Sequence, residues 1–230
     1  MSAFTIRLVC ATREDAGSFH TKTALGRSLA LYPYLSSVEL RLFAKNTLGL
    51  SSVYNIAINE SRTDPAVLVF IHDDVHLCDF NWAFRVVEGL EEFHIIGVAG
   101  NKRRVPRQPS WAFTDDRLIW DNPENLSGIV GHGTGFPCTH LSAYGVPIQE
   151  VKLLDGLLLA CRSQILQERN LSFDERFDFH FYDLDFCRQA EQMGLRMGTW
   201  RISVIHESGG KLGTPIWRNA YLKYLDKWQE

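Results

Sequence analysis

Strong charge of either sign is missing from this chain. Its 230 residues carry 24 Lys and Arg against 27 Asp and Glu, a net charge of −3. That balance gives no electrostatic footprint for nucleic acid and no polybasic signal for anionic membranes. Long apolar runs are missing too, and none reaches the ~20 residues of a membrane-spanning helix. The opening MSAFTIRLVC has no basic stretch followed by an apolar core and a small-residue cleavage site. The expectation is a cytoplasmic protein, with peripheral membrane association or a membrane-bound substrate left open. Paired cysteines are also absent. Cys10, Cys78, Cys138, Cys161 and Cys187 include no CxxC spacing, and three lie in apolar runs. They are expected to be reduced core residues, neither a disulfide framework nor a zinc site. No internal repeat or low-complexity tract breaks the chain. Its length fits one large α/β domain that buries roughly 70% of its unfolded surface without a staple.

What is there centres on Pro65 to His76, PAVLVFIHDDVH. Six apolar residues, Ala66 to Ile71, run straight into His72, Asp73 and Asp74. Such a run reads as a strand buried on both faces of a parallel sheet. The carboxyl ends of strands in open α/β sheets are where ligands bind. Two acids there repel unless a positive group sits between them, and a hard divalent cation holding a phosphorylated substrate meets that need. Asp73 and Asp74 are therefore candidate residues of a nucleotide-handling site. The alternative, that they cap the next helix, is met by Asp79, which precedes the helical stretch Phe80 to Phe93. His72 and His76 have the i, i+4 spacing of a zinc pair, but they span a strand end and no HExxH accompanies them.

Around this stretch strand and helix alternate. Thr5 to Ala11 is an expected strand and Thr21 to Tyr32 a helix ended by Pro33. Val38 to Ala44 is a strand, and a helix capped by Ser51 or Ser52 runs to about Ser61. His94 to Ala99 is a further strand. The pattern predicts βαβ units and a mostly parallel central sheet flanked by helices. Between Gly100 and Val146 it breaks into glycines, prolines, the basic cluster Lys102, Arg103, Arg104 and Arg107, and Trp111 and Trp120, which read as exposed. DDRLIWDN reads as a hairpin or short excursion, and the basic cluster as a solvated loop. GHGTG lacks the Lys and Ser or Thr of a phosphate loop and reads as turn geometry.

Val151 to Cys161 reads as a second buried strand carrying one acid, Asp155, before Gly156. Arg162 to Glu168 is a short helix. FDERFDFHFYDLD, Phe173 to Asp185, is dense in acids and aromatics, and a helical stripe from Phe186 follows it to Gly194. Thr199 to Ile205 is a late strand ending at His206. Gly209, Gly210 and Gly213 precede an amphipathic helix, Pro215 to Glu230, suited to pack on its own domain or on a partner.

Three of these motifs together resemble the family 2 glycosyltransferases of GT-A fold. The likeness is closest to short bacterial glycosyltransferase-like proteins of capsule and surface polysaccharide synthesis. FIHDDV stands where that family has an apolar strand ending in DxD. DGLLLACR stands where it has a strand followed by Arg, and FDERFDFHFYDLDFCRQAEQMGLRM is similar to its "FDE, then ED, then D" helix. The resemblance implies one domain over 1–230. A nucleotide-binding half would span 1–99, a loop-rich insertion 100–150, and an acceptor and catalytic half 151–230. It implies a nucleoside-diphosphate sugar donor, Mn²⁺ or Mg²⁺, and a glycan, lipid-linked or glycoprotein acceptor. Asp74 matches the metal-binding carboxylate, and His72 stands where the first carboxylate would be. Asp183 matches the general base of inverting members, and Tyr182 stands where Glu is more common. His206 matches a late His that ligates metal or touches the diphosphate. Thr12 and Arg13 match the loop receiving the base. Apart from the resemblance, Asp155 before Gly156 reads either as a sugar or acceptor contact or as an acid satisfied by local backbone.

The chemistry is consistent with that set. A diphosphate leaves only when its charge is neutralised, which a divalent cation held by carboxylates does. Glycosyl transfer passes through an oxocarbenium-like state, and a carboxylate on a different element takes the acceptor proton. Two other readings stay open. A nucleotidyltransferase would use a similar sheet but would want a basic glycine-rich loop where this chain has TREDAGSF. A catalytically degenerate sugar- or nucleotide-sugar-binding domain is favoured by His72 in the DxD position.

Overall fold

The computed structural model of the chain describes residues 5–31 and 37–230. The first strand, β1 (Ile6–Ala11), is buried along its length up to its last residue. Two short helices follow, α1 (Phe19–Lys22) and α2 (Ala24–Leu29), where the periodicity predicts one. Thr23 divides them. Its hydroxyl donates to the Phe19 carbonyl at 2.8 Å and accepts from the Gly26 amide at 3.0 Å, ending one helix and capping the next. Tyr32 and Pro33, expected to end that helix, lie outside the described residues.

Next come β2 (Val38–Phe43), α3 (Leu50–Glu60) and β3 (Val67–Ile71). Gly49, not a serine, occupies the N-cap of α3. Ser51 and Ser52 instead bond the Phe177 carbonyl and Glu175, tying the helix to a segment far along the chain. β4 (Val75–Leu77) leads to α4 (Trp82–Glu92). Asn81 stands at its N-cap rather than Asp79. The Asp79 carboxylate accepts from the Asn81 amide at 2.8 Å and pairs with Arg85.

The chain continues through β5 (Ile95–Gly97), β6 (Ala99–Asn101), β7 (Leu126–His132), β8 (His140–Gly145), β9 (Glu150–Val151), β10 (Leu153–Leu154) and β11 (Leu158–Arg162). It then forms α5 (Ser163–Glu168), α6 (Tyr182–Gln192), β12 (Met197–Thr199), β13 (Val204–His206) and α7 (Pro215–Trp228). Among the described residues these strands make two sheets, flanked by helices, in one α/β domain. The larger has the order β2-β1-β3-β11-β5-β12-β9. β1, β2, β3, β5 and β12 point one way, and β11 and β9 oppose them. The smaller has the order β10-β6-β7-β13-β4, with β8 on β7. Because β11 lies between β3 and β5, the two ends of the chain interleave in a single core.

The chain passes from one sheet to the other at four places, and three of them fall inside stretches that read as single strands. β3 turns into β4 at His72–Asp74, β5 into β6 at Val98, and β10 into β11 at Asp155–Leu157. β12 passes to β13 through 200–203. A strand that changes sheets must bend. Both sheets bury its apolar side chains, so the hydropathy runs on through the bend. The four bends lie side by side and form a seam.

The insertion is ordered by a buried acid. Asp121 accepts from Asn101, Arg103 and Asn125, and its carboxyl sits well below the usual range; burial opposes this, but the Arg103, Asn101 and Asn125 hydrogen bonds outweigh it. DDRLIWDN does form a short excursion, closed by an antiparallel bridge between Phe113 and Trp120. The basic cluster is not simply a solvated loop, because Arg104 pairs with Glu191 and Glu230. Trp111 is buried, contrary to the reading of it as exposed. No described helix is long and apolar enough to cross a membrane.

Candidate active site

The seam places the sequence-derived residues as follows. Thr12 and Arg13 follow the end of β1, beside the end of β3; Thr12 is buried and Arg13 exposed. Asp73 turns toward Thr12. Burial raises its carboxyl, and the Thr12 hydroxyl bonded to it works against that rise. The Asp73 carbonyl accepts the Leu25 amide at 3.0 Å, pinning the turn to α2. Asp73 is therefore not in the cation cluster, although the pair of acids invited that reading.

Asp74 faces two histidines instead. Its Oδ1 lies 3.9 Å from His72 Nδ1 and 3.4 Å from His206 Nε2, and one ligand atom from each of the three residues falls within 4.8 Å of the others. His206 arrives on β13, which pairs antiparallel with β4, so that His206 stands opposite Val75. Burial would raise the Asp74 carboxyl, but His206 and then His72 outweigh it and hold it down at about 2. Burial would lower the His206 imidazole, but Asp74 raises it. His72 is lowered, by burial first.

A divalent cation fits these donors. Asp74 Oδ1 is buried and makes no well-aligned hydrogen bond; its nearest charged neighbour is His206 Nε2 at 3.4 Å, and a cation between the three donors would complete it. Two imidazoles and a carboxylate are a common donor set for divalent transition metals. His76, the other half of the zinc-like spacing, is not in the cluster.

The second part of the site stands on α6. Phe181, immediately before the helix, has φ 68° and ψ 0°, a left-handed conformation a bulky residue adopts only when its surroundings hold it there. The rings of Trp217, Tyr221 and Tyr224 on α7 pack against it at 5.5, 5.5 and 5.2 Å. This kink aims Tyr182 and Asp183 at the seam. Asp183 Oδ2 accepts the Gly156 amide at 3.0 Å and its Oδ1 accepts the Leu184 amide at 2.9 Å. Burial, and then the charge of Asp155, push its carboxyl up to about 7. Such a carboxyl is poised to take a proton near neutrality.

Asp155 is itself oriented. Its Oδ2 accepts the Trp111 indole N–H at 2.8 Å and its Oδ1 the Leu157 amide at 3.1 Å. Trp111 meets Tyr144 edge-on at 4.8 Å, and Trp120 stacks on Tyr144 at 5.9 Å and 22°. Trp120 is 54% exposed. An aromatic ladder thus runs from the acid pair to solvent.

Asp185, two residues after the candidate base, has a different task. It is fully buried and accepts from Lys227, Trp228 and Gln189, anchoring α7 to α6. Sequence reasoning gave Tyr182 no role, yet its hydroxyl lies 2.8 Å from His72 Nε2 and 2.8 Å from the Gly156 carbonyl. The only signal was its place beside Asp183.

Residues 37–212, well over half of the chain, match the model of a family described as "Glycosyltransferase like family". The chain belongs to this family. None of the curated proteins matches this glycosyltransferase-like chain in sequence. Among solved structures it is similar to the mannosyltransferase PcManGT from Pyrobaculum calidifontis, in complex with GDP-Man and Mn²⁺. The TM-score is 0.52 at 13% identity, over 98% of this chain and 64% of that one. It is also similar to GalNAc-T7 with UDP, GalNAc and Mn²⁺, at TM-score 0.53 and 12% identity, over 97% of this chain and 48% of that one. At such identities the likeness is one of fold, the GT-A fold, and this glycosyltransferase-like chain spans less than two thirds of either neighbour.

Proposed function

We propose that this chain is a metal-dependent, inverting glycosyltransferase that moves a sugar from a nucleoside-diphosphate sugar to a hydroxyl of a glycan, lipid-linked glycan or glycoprotein. The observation that carries the reading is the meeting, on one seam, of the His72, Asp74 and His206 cluster with Asp183. A cation bound by the cluster supplies positive charge for the departing diphosphate. One structural neighbour holds GDP-Man and Mn²⁺ and the other UDP, GalNAc and Mn²⁺, which supports that donor class.

The chain's own residues do the rest. Thr12 and Arg13, with Asp73 behind them, line the place for the base and ribose. Asp183 holds the acceptor hydroxyl and takes its proton. The hydroxyl oxygen bonds to the anomeric carbon as the bond from that carbon to the phosphate oxygen breaks, and the electron pair leaves with the diphosphate. Attack from the side opposite the leaving group inverts the anomeric centre. Asp155, fixed by Trp111, keeps Asp183 basic and contacts the sugar. Trp120 and Tyr144 offer the acceptor an aromatic surface. In this reading 1–99 supplies most of the donor site, 100–150 the acceptor cover, and 151–230 the base and the late histidine. A cytoplasmic role in bacterial surface polysaccharide synthesis accords with the resemblance. The second reading, a degenerate domain that binds nucleotide sugar without turnover, is favoured by His72 in the DxD position.

Calorimetric titration of UDP and GDP, with and without Mn²⁺, into wild type and Asp74→Ala tests the proposal. Metal-dependent binding of one nucleotide, lost in the variant, is the expected result and names the donor's base. No heat from either nucleotide would overturn it.

A further inference from the structure

The Tyr182 hydroxyl stands between two groups of different kinds. The Gly156 carbonyl, 2.8 Å away, can only accept, so the hydroxyl donates its one proton there. His72 Nε2, also 2.8 Å away, must then be the donor to the hydroxyl oxygen. That fixes the ring. With the proton on Nε2, the lone pair of the neutral imidazole is on Nδ1, the atom that faces Asp74 Oδ1 at 3.9 Å. Phe179 stacks on the His72 ring at 5.8 Å and 25°, which limits its rotation. Nδ1, Asp74 Oδ1 and His206 Nε2 thus converge within 4.8 Å of one another, with Ser208 Oγ 3.2 Å from His206 Nε2.

Gly156 makes the arrangement fit. A Cβ there would lie 2.6 Å from Tyr182 Cζ, so only a glycine lets the hydroxyl reach the carbonyl. Tyr182 is buried; its ring packs against Tyr54 at 5.8 Å and Phe173 at 5.9 Å, and its hydroxyl also faces that of Tyr54, which can donate to the same oxygen.

We propose that Tyr182 is a positioning residue that holds His72 as a direct metal ligand through Nδ1, and that the resulting site, two imidazoles and one carboxylate, takes a transition cation such as Mn²⁺ or Co²⁺ in preference to Mg²⁺. The proposal rests on the metal-dependent reading of the site. Mg²⁺ is held through oxygen and dehydrates reluctantly. Imidazole nitrogen favours the later first-row ions, so affinity should rise from Mg²⁺ to Mn²⁺ to Co²⁺. A hydrogen-bond partner behind a ligating histidine fixes its tautomer and orientation, and its loss costs about 10–100-fold in metal affinity.

The test uses the full chain. The tautomer of His72 is read in ¹⁵N-labelled, metal-free wild type from long-range ¹H–¹⁵N correlations, assigned with His72→Ala. A proton on Nε2 is expected, and one on Nδ1 overturns the proposal. Co²⁺ is then titrated by its visible absorption, with Mg²⁺ as competitor, into wild type, Tyr182→Phe, His72→Ala and the double variant. Co²⁺ should bind wild type at least about 10-fold more tightly than Mg²⁺. Tyr182→Phe should weaken it about 10–100-fold, with no further loss when His72 is already Ala. An equal loss in both backgrounds, or none in Tyr182→Phe, defeats the role of Tyr182 while leaving the metal-dependent reading intact. Mg²⁺ binding as tightly as Co²⁺ defeats the cation preference. No cation binding to wild type defeats both readings together. Should Tyr182→Phe not fold, the tautomer and the wild-type competition still decide.

Discussion

The Gly156 amide donates to Asp183 Oδ2 at 3.0 Å, and that bond joins the bend between β10 and β11 to the first turn of α6. On the other side of the same peptide unit the Gly156 carbonyl receives the Tyr182 hydroxyl. One glycine therefore sets both the candidate base and the tyrosine behind His72.

Asp183→Asn should lower transfer by about 10²–10⁴ while making the protein more resistant to heat at alkaline pH. An ordinary aspartate releases its proton near 3.9, but burial holds this one to about 7. Between those values the folded state binds more protons than the unfolded one, so this group's contribution to stability falls as pH rises from about 4 to about 7. Asparagine carries no such loss. Thermal melts should place the variant above wild type at pH 8, with the gap narrowing toward pH 4. Wild-type turnover should climb with pH through about 7. A gap that widens on acidification would contradict the assignment.

Gly156→Ala should damage both site and fold. The new Cβ would stand 2.9 Å from Asp183 Cβ and 2.6 Å from Tyr182 Cζ. Overpacking of this kind costs about 1–3 kcal/mol. Urea unfolding should show that loss, and turnover should fall further than stability alone explains.

Lys227→Met tests the anchor of α7. It removes the cationic partner of the fully buried Asp185. Breaking a buried pair from one side costs up to about 3–5 kcal/mol. Limited proteolysis should then cut between His206 and Pro215 in the variant and spare wild type. Asp185→Asn should cost less, because Lys227 keeps Asp174 at 2.7 Å.

Trp120→Ala and Trp111→Phe should separate surface from support. Trp120 is exposed, so its loss should change stability by no more than about 0.5 kcal/mol while raising the acceptor KM and sparing hydrolysis of the donor. Trp111→Phe keeps a buried ring but takes the indole N–H from Asp155 Oδ2. It should cost about 1–3 kcal/mol, measured by denaturant midpoint.

Much of this was legible in the residues. Ala66 to Ile71 followed by His72, Asp73 and Asp74 announced a buried strand ending at a site, because a run of six apolar residues can only be buried and charged residues after it cannot be. The alternation through the first hundred residues announced an α/β sheet, and the stripe from Phe186 announced a helix, although the helix begins earlier, at Tyr182. The sequence could not show that three apparent strands change sheets, since the apolar pattern continues on both sides of each of those bends. Nor could it show Asp73 turning to Thr12 while Asp74 turned to the histidines.

Local composition therefore determined which segments are buried, which are helical and which carry carboxylates, because burial and periodicity are properties of neighbouring residues. Only the tertiary structure decided that His72 meets Tyr182 across 110 positions, that His206 faces Asp74, and that burial and then Asp155 raise Asp183. Those relationships depend on strand order and on where each strand bends, which are set by packing across the two sheets and not by any stretch of the chain read alone.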